Sequence, residues 1–179
     1  MIFVAILMLW RPTYAQKYSH LLSETQKDSL SSFSANNTGL KCFKLDSNIW
    51  MCFGFNDKQL AYEYLKKDEV ISGVSYSYKS GYLYKAENYL NGFLEGEVMY
   101  YYDNGLIKEC GSYITLNTDS IIINSEIIQD TLTGELIEIK TFRQGISVKQ
   151  GLWFYYDING IVTRKEIWDK GICNYVSNW

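Results

Sequence analysis

This chain repeats itself, and the repeat restricts its folds more than any other feature. Gly96 to Gly105 reads GEVMYYYDNG and Gly151 to Gly160 reads GLWFYYDING, with a shorter version, GVSYSYKSG, from Gly73 to Gly81. After the closing glycine an arm of eleven residues leads to another glycine at Gly81–Gly92, Gly134–Gly145 and Gly160–Gly171. The second residue of each arm is aliphatic (Leu83, Ile107, Leu136, Val162), and the eighth is aromatic (Tyr89, Tyr113, Phe142, Trp168). Glycine-bounded runs rich in Tyr, Val and Trp read as strands joined by tight turns. Recurrence on this scale implies one supersecondary unit used several times, each copy burying its neighbour's apolar surface. Turns are therefore expected at Gly81, Gly105, Gly134 and Gly160, the last copy ending near Gly171.

Side chains in a strand alternate between the two faces of a sheet. Aligned on the closing glycines, one face receives Tyr76, Tyr78, Met99, Tyr101, Phe154 and Tyr156, apolar or aromatic in every copy, and reads as the core. The other receives Ser75, Ser77 and Lys79, then Val98, Tyr100 and Tyr102, then Trp153, Tyr155 and Asp157. It varies, yet keeps its rings: either a neighbour covers it or it is a tyrosine-rich working surface. The arms break simple alternation, because position four is charged (Lys85, Glu109, Glu138, Arg164) yet shares parity with positions two and eight. A bulge or bend between the aliphatic and aromatic anchors resolves the conflict. The second copy has Leu116 where its final glycine belongs and runs into an insertion, Thr115 to Ser125.

The chain upstream divides into shorter pieces. Residues 1–15 contain an apolar run, Ile2 to Trp10, then Pro12 and Ala15, and read as a signal peptide cut before Gln16. The run is about half the roughly 20 residues that span a bilayer, so no transmembrane segment is expected. The alternative is a buried N-terminal strand or helix, in which case the protein stays in the cytoplasm. Residues 16–38 are polar, with a short helix expected over Tyr18 to Leu30. In residues 39–72, two strand-like runs flank Asp46-Ser47-Asn48, and pairing Leu45 with Ile49 sets Cys42 opposite Cys52. Residues directly opposite lie about 4.5 to 5.5 Å apart at Cα, within disulfide reach. Two buried free thiols are the other reading. Leu60, Ala61, Tyr64 and Leu65 recur at helical spacing behind Asp57, which predicts a second short helix with Asp57 as its cap.

At Gly151 to Gly160 the motif Gly-x-Trp-x-Tyr-Tyr-x-x-Asn-Gly resembles the MORN-repeat variant found in bacterial proteins, many of them labelled antitoxin components of toxin–antitoxin systems. The resemblance spans Gly73 to Gly171, with Val98 and Ser75 where other copies carry the Trp. It implies a mainly β fold, an elongated, twisted antiparallel sheet of successive hairpins over residues 73–179, used for binding and not for catalysis.

Chemistry-bearing motifs are sparse. His20 is the sole imidazole, no cysteines are spaced as CxxC, and Glu95, Glu97 and Asp103 sit beside turns where carboxylates solvate. No catalytic residue, metal ligand or cofactor is assigned. A net charge of −3 gives no basic footprint for nucleic acid. The expectation is an exported, non-enzymatic module, periplasmic or extracellular, that binds another protein or an envelope component. The candidate binding residues are Tyr100, Tyr102, Trp153 and Tyr155, since exposed rings offer apolar area with a polar tip. Three alternatives stand beside it: a carbohydrate surface stacking glycans on the same rings, a hydrolase built on Glu95 and Glu97, and a cytoplasmic antitoxin-like protein that neutralises a toxin.

Overall fold

The computed structural model describes residues 17–129 and 136–179, with side chains given outside 118–144. The expected signal peptide and the expected turn at Gly134 fall outside the described residues. The rest is one open antiparallel sheet of eleven strands with one helix: α1 (Glu24–Asn36), β1 (Gly39–Lys44), β2 (Ile49–Asn56), β3 (Gln59–Lys67), β4 (Val70–Ile71), β5 (Gly73–Lys79), β6 (Tyr82–Leu90), β7 (Phe93–Tyr101), β8 (Ile107–Gln129), β9 (Leu136–Tyr156), β10 (Val162–Asp169) and β11 (Ile172–Asn178). Strands follow one another across the sheet in chain order, and only the short β4 leaves this path, pairing with β3. Among the described residues no helix is long and apolar enough to cross a membrane.

Turn chemistry explains the meander. At Ser80-Gly81, Asn91-Gly92 and Lys170-Gly171 both loop residues take φ between 48° and 83°, the doubly left-handed turn whose twist matches that of the flanking strands. The Asp103-Asn104-Gly105 and Ile158-Asn159-Gly160 loops differ from these turns, although an Asn-Gly pair favours positive φ at both residues, because only the glycines, at φ 83° and 82°, are left-handed. The Gly105 and Gly160 amides donate to the carbonyls of Tyr102 and Asp157 at 2.9 and 3.0 Å, closing three-residue loops. Asp157 reinforces its loop by accepting from the Asn159 and Ile161 amides at 2.9 Å.

Two expectations are corrected upstream. The helix predicted behind Asp57 is strand β3: Asp57 and Lys58 adopt φ 48° and 65° and reverse the chain. β3 then pairs with β2, Met51 facing Leu65, Cys52 facing Tyr64 and Phe53 facing Glu63. Cross-strand pairing with the apolar β2 overrides a helical period only two turns long. The leader helix expected over Tyr18 to Leu30 runs instead from Glu24 to Asn36, and Ser23 and Gln26 form a reciprocal capping box at its start. Leu22 and Leu30 pack on Phe43, Met51, Phe53 and Phe55, with Tyr18, Phe33, Leu60 and Leu65 around them. Cys42 and Cys52 pair across β1 and β2 and form a disulfide, as the hairpin arithmetic predicts.

The expected third hairpin is absorbed into a longer one. β8 and β9 run for 23 and 21 residues, interrupted by an irregularity between Leu116 and Ile121. Gly145 lies inside β9 and does not end an arm. The bulge in the arms occurs at the residue after the aliphatic anchor. Opposite Ser77–Tyr78, Tyr100–Tyr101 and Tyr155–Tyr156 the partner strand slips past Tyr84, Lys108 and Thr163 respectively. Leu83, Ile107 and Val162 therefore share a face with Tyr78, Tyr101 and Tyr156, while the charged and aromatic positions that follow share the other.

Candidate functional site

The bulges sort the side chains of β5 to β10 into two faces with different chemistry. One face continues the surface that α1 covers on β1 to β3. Its cross-strand row runs Phe53, Glu63, Tyr76, Ala86, Met99, Cys110, Phe154, Lys165. The opposite face carries the row Ser75, Glu87, Val98, Gly111, followed by Trp153 and Glu166.

Burial reverses the expected roles. Val98 and Trp153 are each only 1% exposed, and Ser75, Glu87 and Glu166 are buried beside them. Trp153, a proposed platform, is therefore core. Its indole lies on Gly111, where a Cβ would meet a ring carbon at 2.3 Å, and it packs edge-on against Tyr113 at 5.3 Å. The indole N–H donates to the Ser112 carbonyl at 3.2 Å. Tyr62 covers Gly54 in the same manner further along the sheet. A glycine in mid-strand gives up a side chain so that a neighbouring ring can lie flat on the backbone.

The hydroxyls of Tyr89, Tyr100 and Tyr155 on this face are already engaged. Glu87 accepts from Tyr89 and Tyr100, both at 3.2 Å, and pairs with Lys85 at 2.7 Å. Glu166 accepts from Tyr155 at 2.5 Å and from the Trp168 indole at 2.9 Å, with the Arg164 Nε at 3.2 Å. The Lys149 ammonium sits 4.0 Å above the Trp153 ring and 5.0 Å from Trp168, and donates to the Tyr155 hydroxyl at 2.8 Å. Burial pushes the Tyr89 phenol up to about 12, with the Glu87 charge adding to it, and burial raises Tyr100 and Tyr155 as well. Burial also pushes the Glu166 carboxyl up, but the bonds from Tyr155 and Trp168 and the charges of Arg164 and Lys149 outweigh it. Glu166 therefore ionises below the usual carboxylate range.

On the helix-bearing face a third carboxylate, Glu63, is fully buried and accepts from the Lys17 and Tyr18 amides at 2.6 and 3.0 Å and from the Tyr78 hydroxyl. Nothing in the sequence period announced these carboxylates, although Glu87 and Glu166 both stand at the sixth position of their arms, two residues before the aromatic anchor.

Among the grooves of the described residues, two bear on the candidate residues and faces. The first, about 490 Å³, is lined by Tyr102, Lys108, Glu109, Tyr155, Thr163 and Arg164 among others, and the Arg164 guanidinium stacks on Tyr155 at 3.8 Å. It retains two of the four proposed binding residues, Tyr102 and Tyr155, whereas Tyr100 is held over Glu87. The second groove, about 550 Å³, lies on the helix-bearing face between Tyr76, Leu83, Ala86, Met99 and Tyr101, with Lys17 at its border. The two carboxylates of the hydrolase alternative differ in their surroundings. Glu95 accepts the Thr115 amide at 2.6 Å and Glu97 is exposed. His20 rests against the Lys17 carbonyl at 2.8 Å. Family models, curated proteins and solved structures were all compared with the chain, and none of them matches it.

Two predictions follow from the buried row. Trp153→Ala should destabilise the fold by about 3–5 kcal/mol, and Gly111→Ala by about 1–3 kcal/mol, because the new methyl displaces the indole. In the double variant the costs should be strongly sub-additive, since the second change removes the ring that the methyl strikes; urea titration of all four proteins checks this. Glu166 carries the second prediction. Its folded-state pKa lies below the unfolded value of about 4.3, so its contribution is complete above that value and disappears as pH falls through the folded one. Glu166→Gln should lose about 1–3 kcal/mol near neutrality, and the gap to the parent should shrink as the solution is acidified below the unfolded value.

Proposed function

We propose that the protein acts by binding another protein, through the helix-bearing face of the hairpin repeats. The observation that carries this reading is a difference in cover along one continuous face. Over β1 to β3, α1 and the residues before it bury Phe43, Met51 and Phe53. Beyond Tyr76, which meets the Tyr18 ring at 5.4 Å, no helix or second sheet covers Ala86, Met99, Tyr101 and Phe154 among the described residues. An apolar groove bordered by charged residues, here Lys17 and Glu97, suits an apolar segment of a partner with a polar rim. The working surface moves from the face bearing Tyr100 and Trp153 to its reverse, because the rings of the former are committed to Glu87, Gly111 and Glu166.

Export of the chain with loss of residues 1–15 is part of the same reading, and the Cys42–Cys52 disulfide is compatible with an oxidising compartment. The MORN-like pattern of Gly151 to Gly160 supports a binding role by resemblance. A carbohydrate ligand is a second reading, favoured by one observation. The groove of Tyr102 and Tyr155 combines ring faces with Lys108, Glu109 and Arg164 as hydrogen-bonding groups.

Affinity capture from the native organism decides between them. Met99→Lys places a charge in the helix-side groove without touching the buried row. It should reduce recovery of the captured protein at least tenfold, with an unchanged far-ultraviolet spectrum. Undiminished capture by the folded Met99→Lys protein, with loss on Tyr102→Ser instead, would transfer the role to the other groove.

A further inference from the structure

An open sheet has two edges, and those of this protein are treated differently. β1 lies at one end and β11 at the other. β1 carries two charged residues, Lys41 set over Phe33 and Phe43 and Lys44 over Trp50, and it is tied to β2 by the disulfide. Charged side chains are one of the devices by which edges avoid pairing with other chains. β11 carries no charge device: from Ile172 to Trp179 the sequence contains neither a charged side chain nor a proline, and its one irregularity is a bulge at Asn174, passed over between the pairs Tyr175–Ile167 and Cys173–Trp168. Its apolar side chains are nonetheless open to solvent, Ile172 at 68%, Tyr175 and Val176 at 51% and Trp179 at 69% exposure. The cross-strand neighbours of Tyr175, Ile167 and then Leu152, are also exposed and extend the apolar strip inward.

Among the described residues, the backbone groups that β11 does not turn toward β10 can be named. The Trp179 amide donates to the Thr163 carbonyl at 2.9 Å, and Asn178 pairs with Arg164, Ser177 with Lys165 and Tyr175 with Ile167. In an antiparallel ladder alternate residues turn their N–H and C=O toward the same neighbour. Trp179, Ser177 and Tyr175 therefore face β10, leaving the backbone groups of Val176 and Asn178 directed outward.

We infer that β11 pairs edge to edge with β11 of a second copy of this chain, antiparallel about a two-fold axis at Val176. Charge selects the occupant. An uncharged strand meets its own copy without juxtaposing like charges, whereas docking on β1 would lay this apolar strip against Lys41 and Lys44. A β11–β1 contact would also be head-to-tail and leave fresh edges, while the isologous pairing closes after two copies. Geometry selects the register. An axis at Val176 sets outward-facing residue against outward-facing residue, so Val176 exchanges both backbone hydrogen bonds with its mate. Tyr175 then lies opposite Ser177 of the second copy, and the regular part of β11, from Tyr175 onward, supplies the pairing. The groove of the proposed function lies on β5 to β7, away from this edge, so the two proposals stand or fall separately.

Sedimentation velocity and light scattering on the full chain test the pairing, alongside Val176→Pro and Val176→Lys. Proline removes an outward amide and no bond to β10, and lysine restores the missing edge charge. The unaltered protein should have twice the chain mass, and both variants the mass of one chain with unchanged circular dichroism. Should proline disturb the fold, the lysine variant decides. As a positive test of register, Val176→Cys in a Cys110→Ser, Cys173→Ser background should oxidise to a covalent dimer. A monomeric parent, a dimer that persists in both variants, or an open-ended oligomer would overturn the inference. Met99→Lys should leave the dimer intact, which separates the edge from the partner face.

Discussion

A sheet that lies largely in a single layer must bury one of its faces with its own side chains, and in this protein that requirement is met by rings laid over buried carboxylates and glycines. An ionised carboxylate withdrawn from water costs several kcal/mol unless paired and hydrogen-bonded. Glu87 and Glu166 are withdrawn only because Tyr89, Tyr100, Tyr155 and Trp168 donate to them and Lys85, Arg164 and Lys149 supply charge nearby. Beside them Trp153 covers Gly111 and donates to the Ser112 carbonyl, and Val98 is buried in the same row. Removing a carboxylate strands hydroxyls, and removing a ring exposes a charge. Stability in the repeats therefore rests on coupled polar and apolar contacts and not on an oil-like interior.

The two halves of the molecule solve the same problem by different means. Around β2 a helix is brought down on the sheet, and its capping box at Ser23 and Gln26 fixes where it starts. From β6 onward no second layer is present among the described residues, and tyrosine and tryptophan take its place. Ala86, Met99 and Phe154 on the reverse face are left half-buried, which is why the proposed partner surface is assigned there.

The hairpins were legible because glycine and aromatic spacing is a local signal, and Cys42 opposite Cys52 followed from the loop at Asp46 to Asn48 alone. The two sets of side chains and the bulge in the arms were legible too, from alternation and the charge at position four; which set is core was not, because alternation says nothing of what covers a face. A one-residue bulge at Tyr84, Lys108 and Thr163 moves the rest of each arm to the other side. Exposure of Trp153 was misjudged for a related reason: the residue that receives its indole, Gly111, lies in another strand and gives no signal at Trp153. The period of Leu60, Ala61, Tyr64 and Leu65 misled because β3 carries apolar residues on both of its faces, so their spacing does not alternate. Glu63 was invisible for the reason that buried charges usually are, since its partners come from Lys17 and Tyr18, more than 40 residues earlier.

Native-state hydrogen exchange, resolved by peptide, tests most directly whether the ring-and-carboxylate row holds the repeats together. The slowest amides should include those of β6, β7, β10 and the C-terminal part of β9, around Glu87, Val98, Trp153 and Glu166, and should match the protection found under α1 on β2. Slow exchange confined to β1, β2 and β3, with the repeats exchanging freely, would contradict it and leave the helix-covered end as the molecule's one true core.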